Sequence, residues 1–396
     1  MTTWRLVALG DIFDIARGGS PRPIQNYITD DVDGVNWIMI ADASESSKYI
    51  SSTKKRIRKE GVKDSRMVYP GDFVLTNSMS FGRPYIMKIS GCIHDGWLVL
   101  SNRLENVDSN YFFHLLGSNA VYLEFARRAA GATVKNLNID LVKGVQIPLP
   151  PLEEQKRIAE ILDRAEELRS KRREAIAQLD TLPQAIFLEM FGDPLSNPNN
   201  FPIQKLGELC SRVIDCPHST PTYATKITPY ACVRSSDIQN SELIFSDVKY
   251  LELEEYKKRI ERGAPQQGDV IYCREGARFG NAALVTDNTP LICLGQRMML
   301  FRPETSKANG EFIWGYLSNP IAYHQAVREV GGSASPHINI RDIIAFQIPV
   351  PPLNRQCEFA QRIYAVNKLK ASHRASLSEL DALFASLQHR AFRGEL

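Results

Sequence analysis

The sequence predicts an α+β protein built twice over: two pseudo-symmetric mixed α/β modules separated by two long antiparallel coiled-coil helices. Three observations carry that prediction. The segment Ile147-Pro148-Leu149-Pro150-Pro151-Leu152-Glu153-Glu154-Gln155 returns as Ile348-Pro349-Val350-Pro351-Pro352-Leu353-Asn354-Arg355-Gln356, 201 residues on. Each copy runs straight into apolar residues spaced by threes and fours, the signature of a helical seam. Ahead of each copy, short apolar runs alternate with Gly and Pro, as strands and turns do. A repeat this long marks a duplicated domain, because solenoid units recur every 20–50 residues or so.

Residues 1–146 form the first module. Phe73-Val74-Leu75, Trp97-Leu98-Val99-Leu100 and Val145-Gln146-Ile147 read as strands, and Tyr111 to Arg128 reads as one amphipathic helix. Residues 147–192 supply a Pro-rich elbow and the central long helix. Consecutive prolines fix an extended entry that a helix can follow. The apolar stripe Ile158, Leu162, Ala165, Leu168, Ile176, Leu179, Leu182, Ile186 covers about 38 residues, or roughly 57 Å of helix. Pro183 falls inside it and should kink or restart the helix, with Thr181 as a cap. Residues 193–347 repeat the first module, with Phe312 to Val330 as the counterpart helix. Residues 348–396 repeat the elbow and helix through Phe359, Ile363, Val366, Leu369, Leu377, Leu380, Leu383 and Leu387. Neither long helix buries its seam alone, so the economical solution packs one on the other. The two-fold relation implied by duplication makes them antiparallel.

Composition narrows the class. Hydrophobic residues make up 43% and charged residues 23%, ordinary for a soluble globular chain. The net charge of +3 permits nucleic-acid binding without demanding it. Seven cysteines form no C-x-x-C pair and do not recur at matching positions in the halves, so neither a disulfide framework nor a zinc site is expected. No apolar run is long enough to span a bilayer, and the first residues lack a signal-peptide layout.

Chemical motifs are sparse. There is no Gly-Lys dipeptide, hence no Walker A phosphate cradle. No Asn-Pro-Pro-aromatic tetrapeptide is present. Asp269 with Glu275 has the look of paired nuclease carboxylates, but the first module keeps Asp72 and places Asn77-Ser78 where Arg274-Glu275 stand, so a duplicated metal site fails. Asp72 and Asp269 are better read as turn residues after glycine. Cys216 with His218 is the other pair to weigh, as nucleophile and base or as parts of a Pro-bounded loop.

The elbow-helix run from Ile147 to Leu162, the helix ending Leu182 to Pro194, the repeat Ile348 to Gln356 and the ending Leu383 to Leu396 resemble the central and distal regions of specificity (S) subunits of type I restriction-modification systems. Gly268 to Gly280 and Cys216 to Pro221 resemble segments of that family's target recognition domains. The resemblance runs end to end; Cys357 and Phe359 depart from the more charged run that follows Gln155. It implies a prokaryotic, cytoplasmic, non-catalytic subunit that binds double-stranded DNA and holds two methyltransferase (M) subunits and, for cleavage, two restriction (R) subunits. S-adenosylmethionine and ATP would then sit on those partners, with no cofactor or metal on this chain. Residues 1–146 and 193–347 would be the two recognition domains, each reading half of a bipartite target, with the helices setting the spacer. A two-module scaffold for non-DNA ligands is the alternative.

On that reading, DNA contacts are sought where basic and amide side chains meet glycine-rich loops. Arg suits guanine and Asn or Gln suits adenine in the major groove, whereas most such groups reach only phosphate. The first module offers Ser20, Arg22, Asn77, Ser78, Arg83, Lys135 and Asn136, together with Lys54, Lys55, Arg56 and Arg58, a basic run that either neutralises phosphates or solvates an exposed face. The second offers His218, Arg274, Arg278, Gln296, Arg297 and His337. Docking of partner subunits is expected at Leu152, Gln155, Ile158, Leu162, Leu353, Gln356, Phe359 and Ile363.

Overall fold

The computed structural model describes residues 4–44, 48–77, 82–104, 107–129, 137–287, 289–330 and 336–396. The chain divides into two compact units: Met1–Arg172 with Ser376–Leu396, and Arg173–Ala375. Each unit therefore owns one module, part of the central long helix Leu152–Phe191 and part of the C-terminal long helix Leu353–Ala391.

In unit 1, the main sheet orders its strands Phe13–Arg17, Trp97–Asn102, Phe73–Thr76, Pro84–Met87 and Tyr49–Ile50. A second sheet runs Ile28–Thr29, Lys55–Ile57, Val35–Ile38, Gly91–Ile93 and Arg66–Val68. Fully buried Val74, Val99 and Trp97 on one face of the main sheet, and Phe73, Leu75, Leu98 and Leu100 on the other, follow the two-residue period of a strand covered on both sides. Unit 2 repeats the connectivity with Cys210–Asp215, Met298–Pro303, Val270–Cys273 and Ala282–Leu284. The elbows also pair alike. Leu6–Ala8 lies antiparallel to Gln146–Pro148, and Ile203–Lys205 to Gln347–Pro349.

Two expectations need correcting. Tyr111 to Arg128 is two helices, Ser109–Leu116 and Asn119–Ala129, because the Ser118 hydroxyl accepts from the Val121 amide and starts the second. Gly310–Leu317 and Pro320–Val330 repeat the break, with the Asn319 side chain accepting from Ile321 N. Pro183 does not restart the central helix, which runs without interruption from Leu152 to Phe191. A proline there loses one backbone bond, at about 3 kcal/mol. Buried Leu179, Ile186 and Phe187 on either side anchor the helix in unit 2, and Thr181 donates back to the Gln178 carbonyl instead of capping a new helix.

The long helices run antiparallel in both units. In unit 1, Arg169 Nε donates to Asp381 Oδ1 at 2.6 Å, and the Arg169 guanidinium lies over the Phe384 ring. In unit 2, buried Lys370 is ion-paired with both Asp180 and Glu242. Arg169 and Lys370 occupy the same place in the repeat, as do Asp180 and Asp381, so one ion pair occurs twice. Phe359 packs with Phe187 and Phe191 at ring-centroid separations of 5.7 and 5.4 Å, which accounts for its aromatic character at this point in the seam. Among the described residues no helix is long and apolar enough to cross a membrane.

Candidate nucleic-acid interface

In each unit the main-sheet strands converge on one end, and three segments meet there. In unit 1 they are the end of Phe13–Arg17, the turn before Trp97 and the residue after Thr76. Gly18 N donates to Trp97 O at 3.0 Å, and Asn77 N to Gly96 O at 3.0 Å. A Cβ on Gly18 would stand 2.0 Å from the His94 carbonyl oxygen, so only glycine allows this approach.

Asp95 organises the unit 1 site. Its Oδ1 accepts from Ser20 Oγ at 3.0 Å, its other carboxylate oxygen lies 3.9 Å from Arg22, and its carbonyl accepts from Asn77 Nδ2 at 2.8 Å and Arg17 Nε at 3.2 Å. Burial opposes its ionisation, but the Ser20 hydrogen bond, a backbone bond and nearby His94 and Arg17 outweigh it and hold the carboxyl below its usual range. Burial pushes the His94 imidazole the other way, toward the neutral form, and its Nδ1 accepts from Gly96 N. Arg83 is placed next to this cluster by its backbone bonds to Thr76, with its guanidinium over Tyr85.

Unit 2 builds the same cradle with other side chains. Cys216 N donates to Met298 O, and Arg274 N donates to Arg297 O at 3.0 Å, repeating the bonds of Gly18 and Asn77. His218 Nε2 lies 3.0 Å from Asp215 Oδ2, and Arg274 Nε lies 3.3 Å from Asp215 Oδ1. Gln296 Nε2 donates to His218 O at 2.9 Å. Glu275 sits between Arg297 and His337 at 3.7 and 3.5 Å. Arg278 is exposed in the turn joining Val270–Cys273 to the edge strand Ala282–Leu284. Arg259, itself buried, donates to the Pro217 and Ser219 carbonyls and fixes the loop that carries His218.

The structure thus gathers Ser20, Arg22, Asn77 and Arg83 in one place, and His218, Arg274, Arg278, Gln296, Arg297 and His337 in another. Two of these are corrected as DNA-contacting groups. Asn77 and Arg274 are 2% and 5% exposed, so they support the surface instead of forming it. Lys55 and Arg56 lie in the Lys55–Ile57 strand of the second sheet of unit 1, with Lys54 and Arg58 flanking it; Arg56 donates to the Asp31 and Val32 carbonyls, and Lys54, Lys55 and Arg58 are exposed. Ser78, Lys135 and Asn136 lie outside the described residues.

The residues missed from sequence are the acids Asp95 and Asp215 and the buried Arg259. Aligning the turn His94-Asp95-Gly96 with Gly295-Gln296-Arg297 through the repeat would have exposed the first. Three residues weighed for chemistry from the sequence are engaged or enclosed in the fold. Asp269 holds Arg302 at 2.7 Å and accepts from Gln266 N, as Asp72 accepts from Tyr69 N. Cys216 is buried, and burial pushes its thiol up, away from the thiolate a nucleophile needs.

The docking residues require a correction as well. Gln155, Ile158 and Leu162 in unit 1, and Gln356, Phe359 and Ile363 in unit 2, are at most 1% exposed. Gln155 accepts from Asp108 N and donates to Pro150 O; Gln356 accepts from Asn309 N and donates to Pro351 O and Lys307 O. These glutamines clamp each elbow to its own module, and the apolar four fill the chain's own core. Leu152 is half-buried and Leu353 is 37% exposed, so these two remain at the surface.

Comparison with known proteins places the chain in a family. Residues 1–178 and 223–382 match the type I restriction modification DNA specificity domain. The chain is similar to the EcoKI specificity subunit of Escherichia coli K12, 24% identical over 429 residues that cover 99% of this chain and 89% of that protein. It is also similar to the MjaVIII specificity subunit of Methanocaldococcus jannaschii, 19% identical over 410 residues, with 99% and 93% covered. A chain solved in a study of complex assembly and conformational transition of the type I restriction-modification system shares the fold at a TM-score of 0.61 and 20% identity, covering 100% of this chain and 99% of that one. The S subunit from M. genitalium shares it at 0.51 and 13%, covering 98% and 96%. With both halves of the duplication matched, this chain belongs to the family of type I restriction-modification DNA specificity subunits.

Proposed function

We propose that this chain is the DNA-recognition subunit of a type I restriction-modification complex, and that it carries no catalytic site of its own. One observation carries the reading: the same backbone cradle is built twice and dressed with different side chains. Ser20, Arg22 and Arg83 would face one half-site, and His218, Gln296, Arg297 and His337 another, so the half-sites differ in sequence. Residues 1–146 and 193–347 are taken as the two recognition domains, and the length of the helices as the measure of the unread spacer. Lys54, Lys55 and Arg58 supply phosphate contacts that add affinity without sequence preference.

Two methyltransferase subunits, and two restriction subunits in the cleaving complex, are the partners, and S-adenosylmethionine and ATP belong to them. With the inner seam occupied, docking falls to exposed apolar residues of the helices: Leu168 in unit 1, and Leu182, Tyr364 and Leu369 in unit 2. The test is a module exchange. Replacing residues 1–146 with another recognition module should change one half of the methylated motif and leave the other half and the spacing intact. Both halves changing together would refute independent readers.

A further inference from the structure

In unit 2 a run of ionisable side chains crosses the cradle: His218, Asp215, Arg274, His337, Glu275, Arg297. Arg274 is its centre and its buried member. The Arg274 Nη1 lies 3.4 Å from His337 Nε2 and 3.5 Å from the Ile338 carbonyl oxygen. Donation to Nε2 places the ring proton of His337 on Nδ1, facing Glu275 Oε2. Arg274 Nε and Asp215 Oδ1 are both buried, 3.3 Å apart, and neither completes a hydrogen bond. A buried charge held this way is costly for a fold that could use an apolar residue. Backbone strain lies at the same place. Arg297 holds φ +72, and a Cβ on the facing Gly276, at φ +86, would stand 3.2 Å from the Arg297 guanidinium.

Unit 1 shows what varies. Asn77 makes the same backbone bonds, donating to Gly96 O and accepting from Leu137 N, as Arg274 does with Arg297 O and Ile338 N. Its side chain, however, reaches the Asp95 turn, whereas Arg274 reaches Asp215 at the end of the first strand. This one position therefore holds a different flanking segment in each unit.

We propose that Arg274, paired with Asp215, is a positioning residue that sets the sequence preference of the unit 2 site by orienting His218 and His337, without itself touching DNA. The proposal rests on the reading of unit 2 as a half-site reader. It is tested in the complex assembled with the methyltransferase subunits, by competition binding to duplexes varied in each half and by mapping methylated motifs in cells. Arg274→Gln should lower discrimination in one half by roughly tenfold to a hundredfold, the worth of one misdirected base contact. The other half and the salt dependence of binding should be unchanged. Asp215→Asn should give the same loss, the double variant no more, and Arg274→Lys a partial recovery.

Should Arg274→Gln fail to fold, Arg274→Lys and Asp215→Asn carry the comparison. A salt slope reduced by about one would place Arg274 on a phosphate and overturn the proposal. Affinity lost equally for every sequence would make it merely structural. The exposed controls His337→Ala and Arg297→Ala separate the two levels. If they alter one half while Arg274→Gln alters neither, only the proposal fails; if they too are silent, the assignment of the unit 2 site fails.

Discussion

If helix length sets the spacer, lengthening both helices in register should lengthen the methylated motif by a calculable amount. The ion pairs fix where to cut. Arg169 faces Asp381 in unit 1 and Lys370 faces Asp180 in unit 2, one common register that sets residue 175 opposite residue 375. A heptad inserted after Ala175 and another after Ala375 then pair with each other and leave both ion pairs intact. Seven residues add about 10 Å at 1.5 Å per residue. At 3.4 Å per base pair this is roughly three more unread positions. Three base pairs also add about a third of a turn, so the duplex must twist or bend and some affinity should be lost. Methylated-motif mapping of the variant reads the spacing directly. An active variant with unchanged half-sites at the original spacing would show that the helices do not measure distance. A heptad in one helix alone breaks the register and should abolish assembly.

Two further outcomes follow from the buried charges of the helices. Lys370→Met leaves Asp180 and Glu242 with a buried partner removed, which should cost about 3–5 kcal/mol and lower the melting temperature of a unit this size by some 6–20 °C; Lys370 is 3% exposed, so an unchanged melting curve would contradict the pairing. In unit 1, burial opposes ionisation of Asp163, yet hydrogen bonds from His114 and Lys48, each at 2.8 Å, hold its carboxyl below 3.8. A carboxyl depressed by folding stabilises the fold above its unfolded value and ceases to do so as the pH falls through the folded one. The stability advantage of the wild type over Asp163→Asn should thus shrink as the pH falls below about 4; a gap that stays constant through acid titration would argue against the clamp.

The duplication was legible because a repeat needs only self-comparison, and the elbows because proline leaves the backbone few choices. The long helices followed from their three-four spacing. What could not be read was the difference between a polar residue that faces water and one that is enclosed. Gln155 and Gln356 look like surface groups in sequence, and only the fold shows that each is enclosed and accepts from the backbone amide of a helix N-cap, Asp108 or Asn309. Asn77 and Arg274 are similar: glycine-rich flanks marked the right loops, but burial is set by the neighbouring segments. The break at Ser118 was hidden for another reason. The apolar period continues across it, and the only local clue is a serine with capping chemistry. Pro183 was no sign of a new helix, since the helix continues through it despite the loss of one backbone bond.

The division of the chain has a consequence for the order of folding. Unit 2 is one uninterrupted stretch, whereas unit 1 is completed only by residues 376–396. Phe384, Leu387 and Phe392 pack against the unit 1 core and buried Ala391 belongs to it, so that core waits until residues 376–396 have been synthesised. Closing a flexible loop of some two hundred residues would oppose this step by roughly 4–5 kcal/mol of chain entropy. Once unit 2 has folded, most of that loop no longer exists as free chain. Its own antiparallel helix segments, pinned by Asp180 and Lys370, bring Arg173 and Ala375 into neighbouring positions. Folding of unit 2 therefore draws together the two ends of the stretch that interrupts unit 1, before unit 1 closes.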